Sequence, residues 1–247
     1  MKNKTLQART EMLKHSDIPK RMEYLRDLYK GETAYIVAAG PSLNRYEKPF
    51  LRNRLKDELV ISIKQSYNLL GDVCDFHLLN WVNFNPYKYE SISTIIAWTY
   101  YLANQPNDIL VNNIPCDVLL PIYRNDNIGN SICEKYDFDS LSFDHNLARP
   151  WGPGIMYEMA IPLALFLGVK KIKTLGWDIG EPNSYSHFYD DNAPITNSVS
   201  IGDREYESMV KSTEHLYNWF NRLGVEFEII SDRNPSYKGI PRVELSY

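Results

Sequence analysis

The hydrophobic pattern of this chain alternates between short runs that are mostly apolar and longer segments with helical spacing. The short runs predict strands, and they occur at residues 34–39, 59–63, 76–79, 93–101, 109–111, 118–122, 171–175 and 227–230. Strands that are apolar on both faces are typical of a parallel sheet covered by helices on both sides. The sequence therefore predicts an α/β fold with a Rossmann-like, mostly parallel sheet and helices on both of its faces.

Helical spacing fills most of the intervals between these runs. It is found at residues 4–30, where Pro19 separates two predicted helices, at 43–55, at 154–166 and at 203–223. The polar segment 125–150 lacks a clear period and is predicted to be a loop or small lid. We therefore expect an N-terminal helical arm at residues 1–32 and one Rossmann-like domain at 33–247.

The charge distribution separates the arm from the domain. The arm has eight Lys or Arg residues against five Asp or Glu residues, whereas the whole chain of 247 residues has a net charge of −4. An acidic chain is not a general nucleic-acid binder, so we expect no nucleic-acid partner. The basic arm has two interpretations: a peripheral contact with an anionic membrane face, or a solvated helix packed on the domain.

The cysteines and the apolar stretches indicate the cellular compartment in which the protein is expected. Three widely spaced cysteines without a Cys-x-x-Cys pair suit a reducing cytosol and give no zinc signature. The longest apolar stretch, at 155–167, contains Glu158 and Pro162, and it is shorter than the ~20 residues that cross a bilayer. We expect a cytoplasmic protein, with peripheral attachment at the inner membrane face as a variant of that hypothesis.

The first candidate site is the turn Gly40-Pro41-Ser42, which ends the apolar run at 34–39. Gly40 would let the main chain approach a ligand, and a helix beginning after it would offer free N–H groups to a phosphate. Ser42 would add a hydroxyl group or cap the helix. The turn lacks the further glycines of the dinucleotide fingerprint and the Gly-Lys-Ser/Thr of a P-loop, so a purely structural turn is the alternative.

Polar residues also follow two other predicted strands. Asn80 ends the third strand, where its amide would contact a ribose or base edge, or would only turn the chain. Trp177 and Asp178 follow the strand at 171–175, and both are candidate ligand-binding residues. Asp178 would hold a ribose hydroxyl or a substrate group, with the capping of a turn as the alternative.

A second glycine-rich turn, at 152–154, precedes the predicted helix at 154–166. Gly152 and Gly154 would form another helix start that faces an anion. The alternative is a loop that needs conformational freedom.

The loop at 183–191 is dense in titratable side chains. His187 would act as a general base because its pKa lies near neutrality, with a solvated surface histidine as the alternative. Asp190 and Asp191 would bind a divalent metal or simply be solvated. The other histidines lack the spacing of metal ligands, so we expect no metal and no other cofactor.

Three segments together resemble a known family: Ala-Gly-Pro-Ser-Leu at 39–43, the long apolar segment at 154–169, and Lys-Ile-Lys-Thr-Leu-Gly-Trp-Asp at 171–178. They resemble bacterial sialyltransferases of the single-domain Campylobacter type. They also resemble the broader MptE-like group, which includes archaeal hydroxymethylpterin diphosphokinases and flagellin-glycosylation factors. The resemblance covers about residues 34–230 and implies a metal-independent glycosyltransferase whose donor is a CMP-linked acidic nine-carbon sugar.

The resemblance also implies roles for individual residues. The turn Gly40-Pro41-Ser42 would lie under the nucleotide phosphate, and Asn80 would contact the donor. The turn at 152–154 would contact the cytosine part. Tyr185 would steady the departing phosphate, so the domain at 33–247 would be a nucleotide-sugar-binding catalytic domain.

Several positions depart from the family pattern. The asparagine that precedes the glycine turn in the family is Ala39 here, its second donor-binding asparagine falls at Lys64, and one leaving-group tyrosine falls at Gly180. Asp203 stands where the family has its catalytic histidine. Either Asp203 or His187 would therefore be the base.

Three function hypotheses follow. The leading one is a glycosyltransferase that moves an acidic sugar, sialic-acid-like or Kdo-like, from a CMP donor to a glycan hydroxyl. The second is a diphosphotransferase of the pterin-kinase kind that uses ATP and Mg²⁺. The third is a catalytically inactive binding module, motivated by the departures from the family pattern. A nucleotide-sugar donor and a glycan acceptor are the expected partners, and formation of a homo-oligomer is a further hypothesis.

Overall fold

The fold is dominated by one parallel sheet in a computed structural model that describes residues 1–80, 87–101, 116–123, 128–150, 154–179, 187–188 and 203–246. Its strands are β1 (Thr33–Val37), β2 (Leu59–Ile63), β3 (Phe76–Asn80), β4 (Ile95–Tyr101), β5 (Val118–Tyr123), β6 (Arg149–Pro150), β7 (Lys171–Leu175) and β8 (Glu226–Ile230). Within the described residues the strand order is β6-β5-β4-β3-β2-β1-β7-β8, and each neighbouring pair is parallel.

The strand order reverses direction at β1. From β1 the chain adds strands on one side as far as β6, and then returns to place β7 and β8 on the other side. Ligands of open α/β sheets bind in the crevice at such a reversal, outside the carboxyl ends of the strands. The predicted parallel α/β sheet is confirmed, and the sheet order marks the ends of β1 and β7 as the place to look for a site.

Helices cover both faces of the sheet. They are α1 (Lys2–Met12), α2 (Ile18–Glu23), α3 (Lys48–Leu55), α4 (Tyr67–Leu70), α5 (Ile128–Lys135), α6 (Ile161–Phe166) and α7 (Asp203–Arg222). On one face, Ile36, Ile61 and Phe76 belong to a large core that includes side chains of α2, α6 and α7. On the other face, Val37 and Val60 pack with side chains of α3 and α4. Burial on both faces explains why the strands are apolar throughout.

Three sequence-based assignments need correction. The segment 125–150, predicted as a loop or lid, contains α5 and β6 and a 3₁₀ turn at Phe138–Leu141. The helix predicted at 154–166 begins with a π-helical turn, Met156–Ala160, before α6. The helix predicted at 43–55 is divided into a 3₁₀ turn, Pro41–Arg45, and α3. The strand predicted at 109–111 lies outside the described residues.

The N-terminal arm is tied to the amino edge of the sheet by two buried carboxylates. Asp75 precedes β3 and accepts hydrogen bonds from Thr5 Oγ1 at 2.7 Å and from the Val60 amide at 3.0 Å, and it pairs with Lys2. Asp117 precedes β5 and accepts from Arg9 Nε at 2.9 Å. A carboxylate at the start of a strand thus joins the neighbouring strand to α1.

The remaining basic side chains of the arm are largely engaged as well. The further ion pairs of the arm are Lys4 with Glu32, Lys14 with Glu11, Lys30 with Asp27, and Arg26 with Glu23 and Asp144. These contacts favour a helix packed on the domain over a membrane contact. No helix among the described residues is both long and apolar enough to cross a bilayer.

Replacing Asp75 by Asn is expected to lower the free energy of unfolding by about 2 to 4 kcal/mol, because Lys2 loses its buried partner and Val60 N–H can meet an amide N–H. Urea denaturation followed by circular dichroism measures this change. The exposed Asp57 gives the matched control, since Asp57→Asn should stay within about 0.5 kcal/mol of the parent chain. Equal stability of both variants would show that the arm does not depend on Asp75.

Candidate functional site

The ends of β1 and β7 meet through two glycines. The Gly40 amide donates to the Gly176 carbonyl oxygen at 2.8 Å. A Cβ on Gly40 would lie 2.4 Å from that oxygen and 2.5 Å from Asp178 Oδ2. Gly176 has a φ of +64°, and a Cβ there would lie 2.8 Å from the Ala38 carbonyl oxygen. Glycine is therefore required at Gly40 by close approach, and at Gly176 by both close approach and backbone conformation.

Asp178 fixes this junction. Its Oδ2 accepts from the Ser42 amide at 2.7 Å, and its Oδ1 accepts from Ser42 Oγ at 2.6 Å and from Ser231 Oγ at 2.6 Å. Only 6% of Asp178 is exposed. Ser42 follows β1, Asp178 follows β7 and Ser231 follows β8, so one carboxylate joins the carboxyl ends of three strands. Hydrogen bonds to an ionised carboxylate are among the stronger ones in proteins.

This arrangement changes the interpretation of the glycine turn. The sequence predicted free helix-start amides at Gly40-Pro41-Ser42, and that expectation is wrong for Ser42, whose N–H already donates to Asp178. Pro41 has no N–H to offer. The helix that follows is the short 3₁₀ turn Pro41–Arg45. A phosphate at this edge must therefore find a positive group other than the Ser42 amide.

His187 lies beside the same turn. The amide of its neighbour Phe188 donates to the Ala39 carbonyl oxygen at 2.8 Å, and Asn44 Nδ2 donates to the Phe188 carbonyl oxygen at 3.3 Å. These bonds attach the backbone at 187–188 to the end of β1. The structure thus brings His187, the glycine turn and Asp178 to one edge of the sheet.

Two other predicted site residues lie deeper in the protein. Asn80 is the last residue of β3 and is 5% exposed. The Trp177 ring packs edge-on against Tyr157 and Phe227, with ring centroids 6.1 and 5.9 Å away. Trp177 therefore serves the core, and these contacts give no support to its predicted role in ligand binding.

The remaining predicted site residues are placed only in part. Gly154 precedes the π-helical turn with a φ of +87°, and a Cβ there would meet no atom of the described residues within 4 Å. Asp203 is the first residue of α7. Gly152 and Tyr185, like Gly180, Asp190 and Asp191, lie outside the described residues. Their roles stay predictions.

A histidine that sequence reasoning passed over supports the end of β2. His77 is fully buried, and its Nε2 lies 2.8 Å from the Lys64 carbonyl oxygen while its Nδ1 lies 2.9 Å from Tyr89 Oη. A carbonyl oxygen can only accept, so Nε2 carries the proton and Nδ1 accepts from the tyrosine. Burial lowers the pKa of His77 to about 3. This neutral imidazole holds Lys64, which has a φ of +52°.

Two further charged residues were not among the predicted site residues. Glu158 is buried in the π-helical turn, and Arg149 is fully buried at β6. The signal for Glu158 was its position inside an apolar stretch, where an ionisable residue needs a partner. For Ser231 the signal was a hydroxyl directly after a strand.

The part of the chain that the structure describes contains no evident metal site. No group of three or more His, Cys, Asp or Glu side chains there is placed to hold an ion. The expectation of a reaction without a cofactor stays a prediction.

Comparisons with known proteins give a likeness in structure. No family model and no curated protein matches the chain. Among solved structures, the chain is similar to the sialyltransferase CstII from Campylobacter jejuni, described in complex with a substrate analogue, cytidine-5'-monophosphate. The identity is 17%, the match covers 87% of this chain and 86% of that chain, and the TM-score is 0.46. A likeness at this level does not transfer a ligand or a reaction.

The buried His77 predicts a specific pH dependence of stability. Its pKa is near 6.5 in the unfolded chain and about 3 in the folded protein. Below pH 6.5 the unfolded state therefore binds a proton that the folded state does not, and stability falls by up to about 1.4 kcal/mol per pH unit until the pH nears the folded pKa. Unfolding free energies measured along a pH series should decline over this window in the parent chain.

The variant His77→Gln, which keeps an N–H donor, should flatten that decline. The exposed His145 gives the control, because His145→Gln should leave the slope unchanged. NMR titration of the folded parent chain provides a test that needs no variant, since the His77 imidazole should stay neutral throughout this window. A His77 signal that titrates near pH 6.5 would show that the imidazole is not held as described.

Proposed function

We propose that this chain is a glycosyltransferase that moves an acidic sugar, sialic-acid-like or Kdo-like, from a CMP donor to a glycan hydroxyl group. The observation that carries the proposal is the meeting of the two segments Gly40-Pro41-Ser42 and Gly176-Trp177-Asp178 where the sheet order reverses. A crevice at that reversal is where open α/β sheets bind nucleotides. The sequence resemblance supplies the chemical identity of the donor.

The reaction would break the bond between the anomeric carbon of the sugar and a phosphate oxygen of CMP. The phosphate leaves with the bonding electron pair, which gives the sugar an oxocarbenium-like centre. The acceptor hydroxyl oxygen then forms the new bond to the anomeric carbon, and a base removes its proton. His187 and Asp203 are the two candidates for that base, and Tyr185 would donate a hydrogen bond to the departing phosphate.

His187 has the better structural support of the two base candidates. Its neighbour Phe188 is bonded to Ala39, directly before the glycine turn, at 2.8 Å. A base must reach the acceptor oxygen at hydrogen-bonding distance, so it must lie on the edge where the donor binds. The bond from Phe188 to Ala39 supports His187 in this role.

Cytidine nucleotides are expected to stabilise the protein. CMP at about a hundred times its dissociation constant should raise the melting temperature by roughly 5 to 10 °C, because a ligand that binds only the folded state adds about 2.7 kcal/mol. Differential scanning fluorimetry with CMP, cytidine, and ATP with Mg²⁺ measures this. A shift with ATP that requires Mg²⁺, and none with CMP, would replace the proposal by the diphosphotransferase hypothesis.

Removal of the base should slow turnover without preventing donor binding. His187→Ala is expected to lower kcat about 10²- to 10⁴-fold, the usual contribution of general base catalysis, while the melting-temperature shift with CMP persists. Asp203→Asn is the matched comparison, and release of CMP from a CMP-linked sugar in the presence of acceptor is the assay. Full turnover in both variants would exclude both residues as the base. Strong CMP binding without turnover in the parent chain, over a panel of donors and acceptors, would favour the inactive binding module.

A further inference from the structure

Three charged residues lie close together beside the candidate site: the partly exposed Lys64 at the end of β2, the buried Glu158 in the π-helical turn, and the buried Arg149 at β6. Glu158 is 1% exposed and Arg149 is fully buried. The Glu158 carboxylate interacts electrostatically with both Lys64 and Arg149. Among these three residues, two cations therefore share one carboxylate.

Arg149 is satisfied by the main chain. Its guanidinium donates to the carbonyl oxygens of Leu141 at 2.7 Å, Leu147 at 3.2 Å and Glu158 at 3.3 Å, and also to that of Asn146. All three guanidinium nitrogens are used in these bonds, so Arg149 fixes the polypeptide around it. These bonds engage four of its five N–H groups.

The Lys64 ammonium is in a different situation. No hydrogen bond or salt bridge from the described residues reaches its Nζ, and its electrostatic partner there is Glu158. Burial lowers the pKa of Lys64, and the Glu158 charge opposes that shift. Because Lys64 is partly exposed, an anion from outside the chain would supply the acceptor that the described residues do not provide.

The backbone holds Lys64 at the ligand edge of the sheet. Its φ of +52° is uncommon for a residue with a side chain, and such strain persists only where the surroundings enforce it. His77 donates to the Lys64 carbonyl oxygen at 2.8 Å. Ser66 Oγ donates to the Val37 carbonyl oxygen at 2.7 Å, which ties the turn after β2 to the end of β1. Both bonds fix the position from which the lysine side chain leaves the sheet.

The strand register places Lys64 between two segments of the candidate site. Val37 pairs with Ser62, so two residues further on Lys64 stands beside Ala39 and the glycine turn. On the other side, Ile63 pairs with Leu78, which sets Lys64 next to the last residues of β3 and close to Asn80. The backbone of Lys64 therefore lies at the edge of the sheet where the proposed nucleotide would bind.

We propose that Lys64 is the phosphate-binding residue of this site: its ammonium donates to the phosphate oxygens of the nucleotide, and Glu158 is a positioning residue that keeps it charged. The inference rests on the proposed function only in taking the ligand to be phosphorylated. It assigns to a side chain the role that the Ser42 amide cannot fill. Hydrogen bonds between a lysine and a phosphate are charge-assisted and correspondingly strong.

The first test compares CMP with cytidine, which lacks the phosphate, by isothermal titration calorimetry. Lys64→Met should weaken CMP binding about tenfold to a hundredfold, the range for a hydrogen bond to a charged group, and should leave cytidine binding unchanged. Lys56→Met is the matched control, because Lys56 is exposed and contacts Asn53, and it should bind both ligands like the parent chain. CMP affinity of Lys64→Met within twofold of the parent chain overturns the inference.

Folding of the variant is checked by its melting temperature without ligand. Lys64→Met leaves Glu158 opposite Arg149 and removes the unsatisfied ammonium, so the melting temperature should not fall. If it does fall and the variant is unfolded, Glu158→Gln serves instead. Since the Glu158 charge raises the pKa of Lys64, Glu158→Gln should make CMP binding weaken at a lower pH than in the parent chain as the pH rises. A CMP-binding pH profile identical to that of the parent chain also overturns the inference.

A third experiment distinguishes failure of this inference from failure of the proposed function. If the parent chain does not bind CMP, the proposed function fails, and inorganic pyrophosphate and ADP then probe the cation directly. Binding of either probe that is lost in Lys64→Met and kept in Lys56→Met supports the inference without a CMP donor. Absence of binding by all phosphorylated probes overturns both.

Discussion

The candidate site depends on the contact between two main chains at the point where the sheet order reverses. Gly40 and Gly176 touch through an amide and a carbonyl group, with no room for a side chain on either residue. Because they are in contact, the Asp178 carboxylate can span from the end of β7 to Ser42 and Ser231. A bulkier residue at either glycine would push β1 and β7 apart and break this bridge. The positions of Ser42, Asp178 and Ser231 relative to one another follow from that junction.

The two edges of the sheet are chemically distinct, and parallel strands are the reason. All strands present free amide groups at one edge and free carbonyl groups at the other. At the amino edge, Asp75 and Asp117 accept from the amides of Val60 and Ile96 and hold the N-terminal arm. The two carboxylates and the N-terminal arm thus occupy the amino edge. We therefore expect a ligand at the carboxyl edge.

At the carboxyl edge the main chain needs donors, and side chains supply them. His77 donates to the carbonyl oxygen of Lys64, and Ser66 donates to that of Val37. This edge therefore accommodates buried donor groups, and its Asp178 carboxylate accepts from an amide and two hydroxyl groups. The placement of Lys64 on the carboxyl side follows the same rule, since a cation is better accommodated among carbonyl groups than among amides.

The strands could be predicted from the sequence because their signal is local. Every residue of Leu59–Ile63 is buried, so the apolar run by itself indicates a central strand. The helix α5, Ile128–Lys135, was missed because Gly129 and Asn130 have low helix propensity. The bond between Ser42 and Asp178 joins residues 136 positions apart, and no local pattern encodes such a pairing.

The function of the glycine turn was harder to predict than the strands. The reason is that Asp178 competes with any ligand for the Ser42 amide. A turn followed by a helix is predicted to bind an anion if its amide groups are assumed to be free. Here the chain supplies its own anion, Asp178, and the Ser42 amide is used to join strands. The positive charge that a phosphate requires then has to come from elsewhere on the same edge. Four carbonyl oxygens accept from the Arg149 guanidinium, whereas the Lys64 ammonium has no hydrogen-bond acceptor among the described residues. Under the proposed function, recognition of the phosphate would therefore pass from the backbone of the turn to the side chain at the end of β2.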